Sequence, residues 1–165
     1  MADLTNIESK LGEVTGLAMA AKEATSRVTT IARNSGHEEL VDALQRMHDE
    51  AAETEERCTE LAGSFDGKKT AILEEARETK AKGATMLQTY LDEDSDALDG
   101  FEFLTMAEAG EVGHWEVLGE MAKNANESGI RELVEWALPI QQRHFDDVRT
   151  TSTKLAAEED PHEEA

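Results

Sequence analysis

The sequence predicts an all-α fold, and three observations carry that prediction. First, aromatic residues make up only 4% of the 165 residues, with 11 Gly and 2 Pro, while Ala, Glu, Leu, Lys and Arg fill long stretches poor in strand formers. Second, turn and cap formers gather in four short clusters, NSGHEE (34–39), GSFDGKK (63–69), DEDSDALDG (92–100) and NANESG (124–129). Third, apolar residues between those clusters recur at helical spacing. The clusters divide the chain into five helical segments over 4–33, 37–63, 68–91, 100–124 and 128–157. A chain of this length is expected to bury one core, giving one domain over 1–157 and an acidic disordered tail over 158–165.

At about 100° per residue, the first segment places Ile7, Leu11, Val14, Ala18, Ala21, Thr25 and Val28 on one face and turns Glu23 away. The second lines up Leu40, Leu44, Met47, Ala51, Cys58 and Ala62, with His48 and Glu55 on the same stripe. The third has a thin stripe of Ile72, Ala76, Met86 and Leu87 beside Gly83, which suits a helix crossing the outside of a bundle. The fourth gathers Phe103, Ala107, Gly110, Val117, Leu118 and Met121 around Glu111 and His114, leaving Val112 and Trp115 off the stripe. The fifth aligns Ile130, Val134, Ala137, Leu138, Phe145, Val148 and Leu155, with Gln141 at the centre and His144 beside it. Pro139, on the far side, is expected to kink that helix.

Acidic residues outnumber basic ones 37 to 16, a net charge of −21 that repels phosphate backbones and anionic lipid. Nucleic-acid and membrane partners are therefore not expected. The field would also suit a salt-rich cytoplasm. With no leader, no long apolar run and a single cysteine, Cys58, a cytoplasmic protein without disulfides is expected. No Gly-rich phosphate loop or nucleophile elbow occurs, and the sequence indicates no organic cofactor.

The polar residues on otherwise apolar faces are the functional signal. If segments one and two, and four and five, form antiparallel hairpins, helix rise puts Glu111, Gln141 and His48 at one level. His114 and His144 then lie one turn to either side, and Glu55 further along. Buried carboxylates and imidazoles must pair with each other or with a ligand. Glu111-x-x-His114 presents an oxygen and a nitrogen about one turn apart, able to reach one ion.

The stretches LTMAEAGEVGHWEVLGEMA (104–122) and ELVEWALPIQQRHFDDVRTTSTKLA (132–156) resemble the last two helices of ferritin-like proteins, most of all YciF-type bacterial stress proteins. GKKTAILEEARETK (67–80) is similar to their extra helix between the two hairpins. The resemblance implies a ferritin-like antiparallel four-helix bundle with an additional crossover helix, a stress-related role, and an iron or manganese site with carboxylates from all four helices. The sequence departs from that pattern at three places: segment one has no core-facing Glu, Gln141 stands where the pattern has Glu, and Gln45, three residues before His48, faces outward.

The ligand set this leaves is Glu111, His114, His48, His144 and Gln141, with Glu55 at its edge, and it suits one or two Fe, Mn or Zn ions. Two readings stand side by side. One is a metal-binding bundle whose substrate and reaction are not readable from the residues. The other is a non-enzymatic bundle, as a homodimer, whose His, Glu and Gln residues form a metal-free hydrogen-bond network. A third is an adaptor that presents faces bearing Trp115 and Trp136 to a partner.

Overall fold

The computed structural model describes residues 2–163, and among them every regular element is helical. Five α-helices run in order: α1 (Asn6–Asn34), α2 (Val41–Ala62), α3 (Lys69–Tyr90), α4 (Ala97–Asn124) and α5 (Ser128–Ala156). Their limits follow local chemistry. Thr5 and Glu8 close a capping box at the start of α1, and Asp96 and Asp99 close one on α4 at 3.0 Å in each direction, so α4 begins three residues before the expected start. A short 3-10 turn, Glu38–Leu40, precedes α2 where the sequence had suggested continuous helix, and His37 ahead of it makes no capping bond. Gly36 and Gly67 supply the positive φ angles in the two turns beside α2. The tail beyond Ala156 is non-helical and exposed through Glu163, and the last two residues assigned to it lie outside the described ones.

Cross-helix contacts fix the topology. Lys22 meets Glu55 at 2.7 Å and Thr15 lies against Cys58, so α1 and α2 are antiparallel. Val28 lies against Gly100 while Glu13 meets His114, so α1 and α4 are antiparallel as well. Arg46 reaches Asp147 and Arg57 covers Trp136, which makes α2 and α5 antiparallel. Thr105 meets Ser152, and Gly119 faces Val134, which does the same for α4 and α5. Helices α2 and α4 thus run parallel, as the hairpin argument required.

Helix α3 runs alongside α1 in the same direction and packs mainly on it. It approaches closely because the seam is made of small residues: a Cβ on Gly12 would sit 2.7 Å from the Ile72 carbonyl oxygen, and one on Gly83 2.7 Å from the Ala20 Cβ. Gly83 does not interrupt α3, and Pro139, exposed on the outer side of α5, does not interrupt that helix either.

On α1 and α4 the core positions that face the bundle follow alternating steps of three and four residues. On α1 they are Leu11, Val14, Ala18, Ala21, Thr25 and Val28, as expected. On α4 they are Phe101, Leu104, Glu108, Glu111, Trp115, Leu118 and Ala122. The α4 stripe is therefore rotated from the expected one. Trp115, expected to point outward, is completely buried, while Gly110 and Val117, expected on the stripe, are exposed and His114 lies at its margin. Met86, expected on the α3 core stripe, is 43% exposed.

Two apolar clusters result. One gathers Val28, Leu44, Phe101, Leu104 and Val148, and the other Leu11, Val14, Cys58, Trp115, Leu118 and Ile130. Glu108, Glu111, Gln141 and His144 lie between them in chain order on α4 and α5. Ala18 and Ala21 of α1 and Ala51 of α2 occupy the same interval and join neither cluster. No helix among the described residues is long and apolar enough to cross a membrane.

Candidate functional site

The interval between the clusters is a polar layer walled by alanines, and it is the chemically unusual part of the molecule. Glu108 is 1% exposed, and Glu111, Gln141 and His144 are also buried. Gln141 Nε2 donates to Glu108 Oε2 at 2.5 Å. His144 Nε2 lies 2.9 Å from Glu50 Oε2, and its Nδ1 lies 3.7 Å from Glu108 Oε2. A carboxylate only accepts, so the imidazole is the donor toward Glu50. Arg143 also pairs with Glu50, so α2, α5 and α4 are tied by one chain of charged and hydrogen-bonded groups.

Burial opposes a charge on His144, but Glu108 and Glu50 on its two nitrogens outweigh that and raise its pKa. Glu111 differs. Burial first, and then the neighbouring Glu108 carboxylate, push its pKa well above the ordinary 4.5, and among the described residues its carboxyl has no hydrogen bond or ion pair.

The expected ligands are distributed as follows. Glu111, Gln141 and His144 are in the layer. His114 is at its margin with a 41% exposed side chain, Nδ1 being 3.2 Å from Glu13 Oε2 and 3.4 Å from Lys10 Nζ. His48 and Glu55 are outside it, in a groove between α1 and α2 that Lys22 and Lys80 also line. His48 lies near its neighbour Asp49, and Glu55 is held by Lys22. Thr54, one residue before Glu55, is the buried member of that turn. Glu108 and Glu50 are the layer's missing members, and the sequence contained a signal for the first. Phe101, Leu104, Trp115 and Leu118 extrapolate in steps of three and four onto both 108 and 111.

These residues do not fit a dinuclear metal centre. Helix α1 brings alanine and threonine to the layer, and both nitrogens of His144 already face carboxylates. Among the described residues no three His, Cys, Asp or Glu side chains are grouped to hold an ion. Cys58 is inert: burial pushes its thiol up to about 12, with Glu55 adding to the effect and Thr15 opposing it.

A cavity of about 260 Å³ opens beside the layer, between α1, α3 and α4. Ala21, Ala24, Phe103 and Leu104 form much of its apolar wall, and Glu108, Glu111 and His114 are its ionisable members. No family model, curated protein or solved structure matches the chain.

Proposed function

We propose that the protein is a ferritin-like four-helix bundle, with α3 as the crossover helix, whose polar layer works as a metal-free network fixing the register of α2, α4 and α5. In this reading it is a non-enzymatic bundle rather than an oxidase or an iron store. The observation that carries it is His144 between Glu50 and Glu108, 2.9 and 3.7 Å from its two nitrogens. A cationic imidazole between two carboxylates, with Arg143 also paired to Glu50, balances the charge of the four groups, and neither nitrogen offers a free lone pair to a metal. Gln141, in place of a carboxylate, supplies the donor that a second acid beside Glu108 could not.

The test is metal analysis of full-length protein purified without chelator and exposed in turn to Fe, Mn and Zn. Retention below about a tenth of an equivalent is expected. A full equivalent that disappears in His144→Ala would overturn the reading. A second reading is favoured by Glu111, which has a buried carboxyl and no partner. In it, Glu108 and Glu111 would close on a single Fe, Mn or Zn ion, with His144 released from Glu50 to supply the third ligand, and the same measurement decides between the two.

A further inference from the structure

We propose that the cavity between α1, α3 and α4 is a binding site for a small amphipathic amine, whose apolar body fills the cavity and whose ammonium group pairs with Glu111.

The wall of the cavity is almost entirely apolar, so its contents must be apolar except where they meet the acidic pair. Scaling from a dry cavity of about 150 Å³ that accommodates benzene, about 260 Å³ suits roughly ten non-hydrogen atoms. At the polar end, Glu111 is 4% exposed, lines the cavity and has no protein partner among the described residues. Its neighbour Glu108 already accepts from Gln141, whereas Glu111 faces an acid and no cation. Two lysines of α1 are engaged by other acids: Lys10 sits on Glu13, at the cavity margin 3.4 Å from His114 Nδ1, and Lys22 on Glu55. A ligand ammonium supplies a countercharge and donors for the ionised carboxyl, so its binding releases to solvent the proton that burial otherwise keeps on Glu111.

The mouth points the same way. Met86 and Met106, two of the few exposed large hydrophobic residues, line the cavity, and exposed Tyr90 packs near Phe103 of its wall at 6.2 Å between ring centroids. Unbranched thioether side chains adapt to ligands of varied shape. Gly110 also lines the cavity, and a Cβ there would meet open space. A mid-helix glycine is unfavourable by about 1 kcal/mol relative to alanine, and here no packing requires it, so its effect is to keep the entrance wide.

The test is calorimetric titration of the full-length protein with 4-phenylbutylamine and with its neutral counterpart 4-phenylbutan-1-ol. About 1 M NaCl screens the acidic surface. Saturable one-to-one binding of the amine is expected, at least tenfold tighter than the alcohol. Glu111→Gln should abolish that preference, and Gly110→Phe should block both compounds. Absence of saturable amine binding, or equal affinity for the two probes in the unsubstituted protein, would overturn the proposal. So would a preference that survives Glu111→Gln, or undiminished binding to Gly110→Phe. The amine-to-alcohol contrast in the unsubstituted protein decides the matter even if a variant fails to fold.

Discussion

The Gln141 carboxamide donates to Glu108 Oε2 at 2.5 Å, and both residues are buried at the middle of the α4–α5 contact. An acid at that depth needs a donor, and Gln141 is the one within hydrogen-bond distance, with His144 Nδ1 3.7 Å away as the facing charge. Gln141→Leu should therefore destabilise the fold by about 1–3 kcal/mol, since it removes a bond and strands an acceptor. Gln141→Glu should be worse, because it sets a second carboxylate against Glu108 where a donor stood. Urea denaturation without metal measures both, and a Gln141→Glu protein as stable as the parent would refute this account of the layer.

The pH dependence of stability follows from the same groups. Burial and Glu108 raise the Glu111 pKa above the ordinary 4.5, so over the window above that value the folded state keeps a proton the unfolded chain has lost. Stability from this source falls as pH rises. His144 acts in the same sense: burial opposes its charge, the two carboxylates outweigh burial, and its contribution is complete below the ordinary 6.5 and lost as pH climbs through the raised value. In about 1 M NaCl, which suppresses the repulsion of a −21 surface, the urea midpoint should fall between pH 5 and pH 8. Glu111→Gln should flatten that fall and stabilise the protein at pH 8 by on the order of 1–3 kcal/mol. A midpoint that rises over this range, or an identical slope in the variant, would contradict the assignment.

How far the sequence could be read varies by helix. The α1 stripe was legible because its small apolar residues are not interrupted by a large polar side chain: Leu11 through Val28 lie where their spacing put them. Gln141 and His144 were legible on α5 because Ile130, Val134, Ala137 and Val148 bracket them. Helix α4 was harder. Centring its face on the Glu111 and His114 pair drew in Gly110, Val117 and Met121 and pushed out Glu108 and Trp115. A packed seam advances about 3.5 residues per turn instead of 3.6, and the drift of about 20° per heptad is enough to exchange neighbouring columns on a long helix. His48 and Glu55 fail for a related reason, since each sits one column beside the buried row of Met47, Ala51, Thr54 and Cys58. Glu50 gave no periodic signal, because it reaches His144 from the edge of α2.

The α1–α3 seam makes a steric prediction. A Cβ on Gly16 would fall against the Ala76 carbonyl and within 2.7 Å of the Thr79 Cβ, so backbone as well as side chain would have to move. Gly16→Val should cost about 1–3 kcal/mol or more from overpacking, even though valine is the better helix former. Gly113→Ala, where a Cβ meets nothing, should be neutral or stabilising by up to about 1 kcal/mol. Thermal unfolding of the two variants side by side checks the contrast, and equal behaviour would mean that α3 does not lie against α1 as described.

Trp115 supplies the last test, and it also bears on the adaptor reading. The residue is completely buried in the cluster with Leu118 and Ile130, so it cannot be presented to a partner, and the adaptor idea keeps only Trp136, half-buried under Arg57 at 4.0 Å. Its indole N–H is buried without an acceptor among the described residues. Burying an unpaired donor costs about 1–3 kcal/mol, which partly offsets the gain from burying the ring. Trp115→Phe removes that donor together with part of the ring, so the two effects oppose each other and the net loss should be small, below about 1.5 kcal/mol. Trp115→Ala has no such compensation and should lose about 3–5 kcal/mol. Denaturant midpoints for both variants separate the terms. A phenylalanine variant as unstable as the alanine one would mean that the indole N–H has a partner after all.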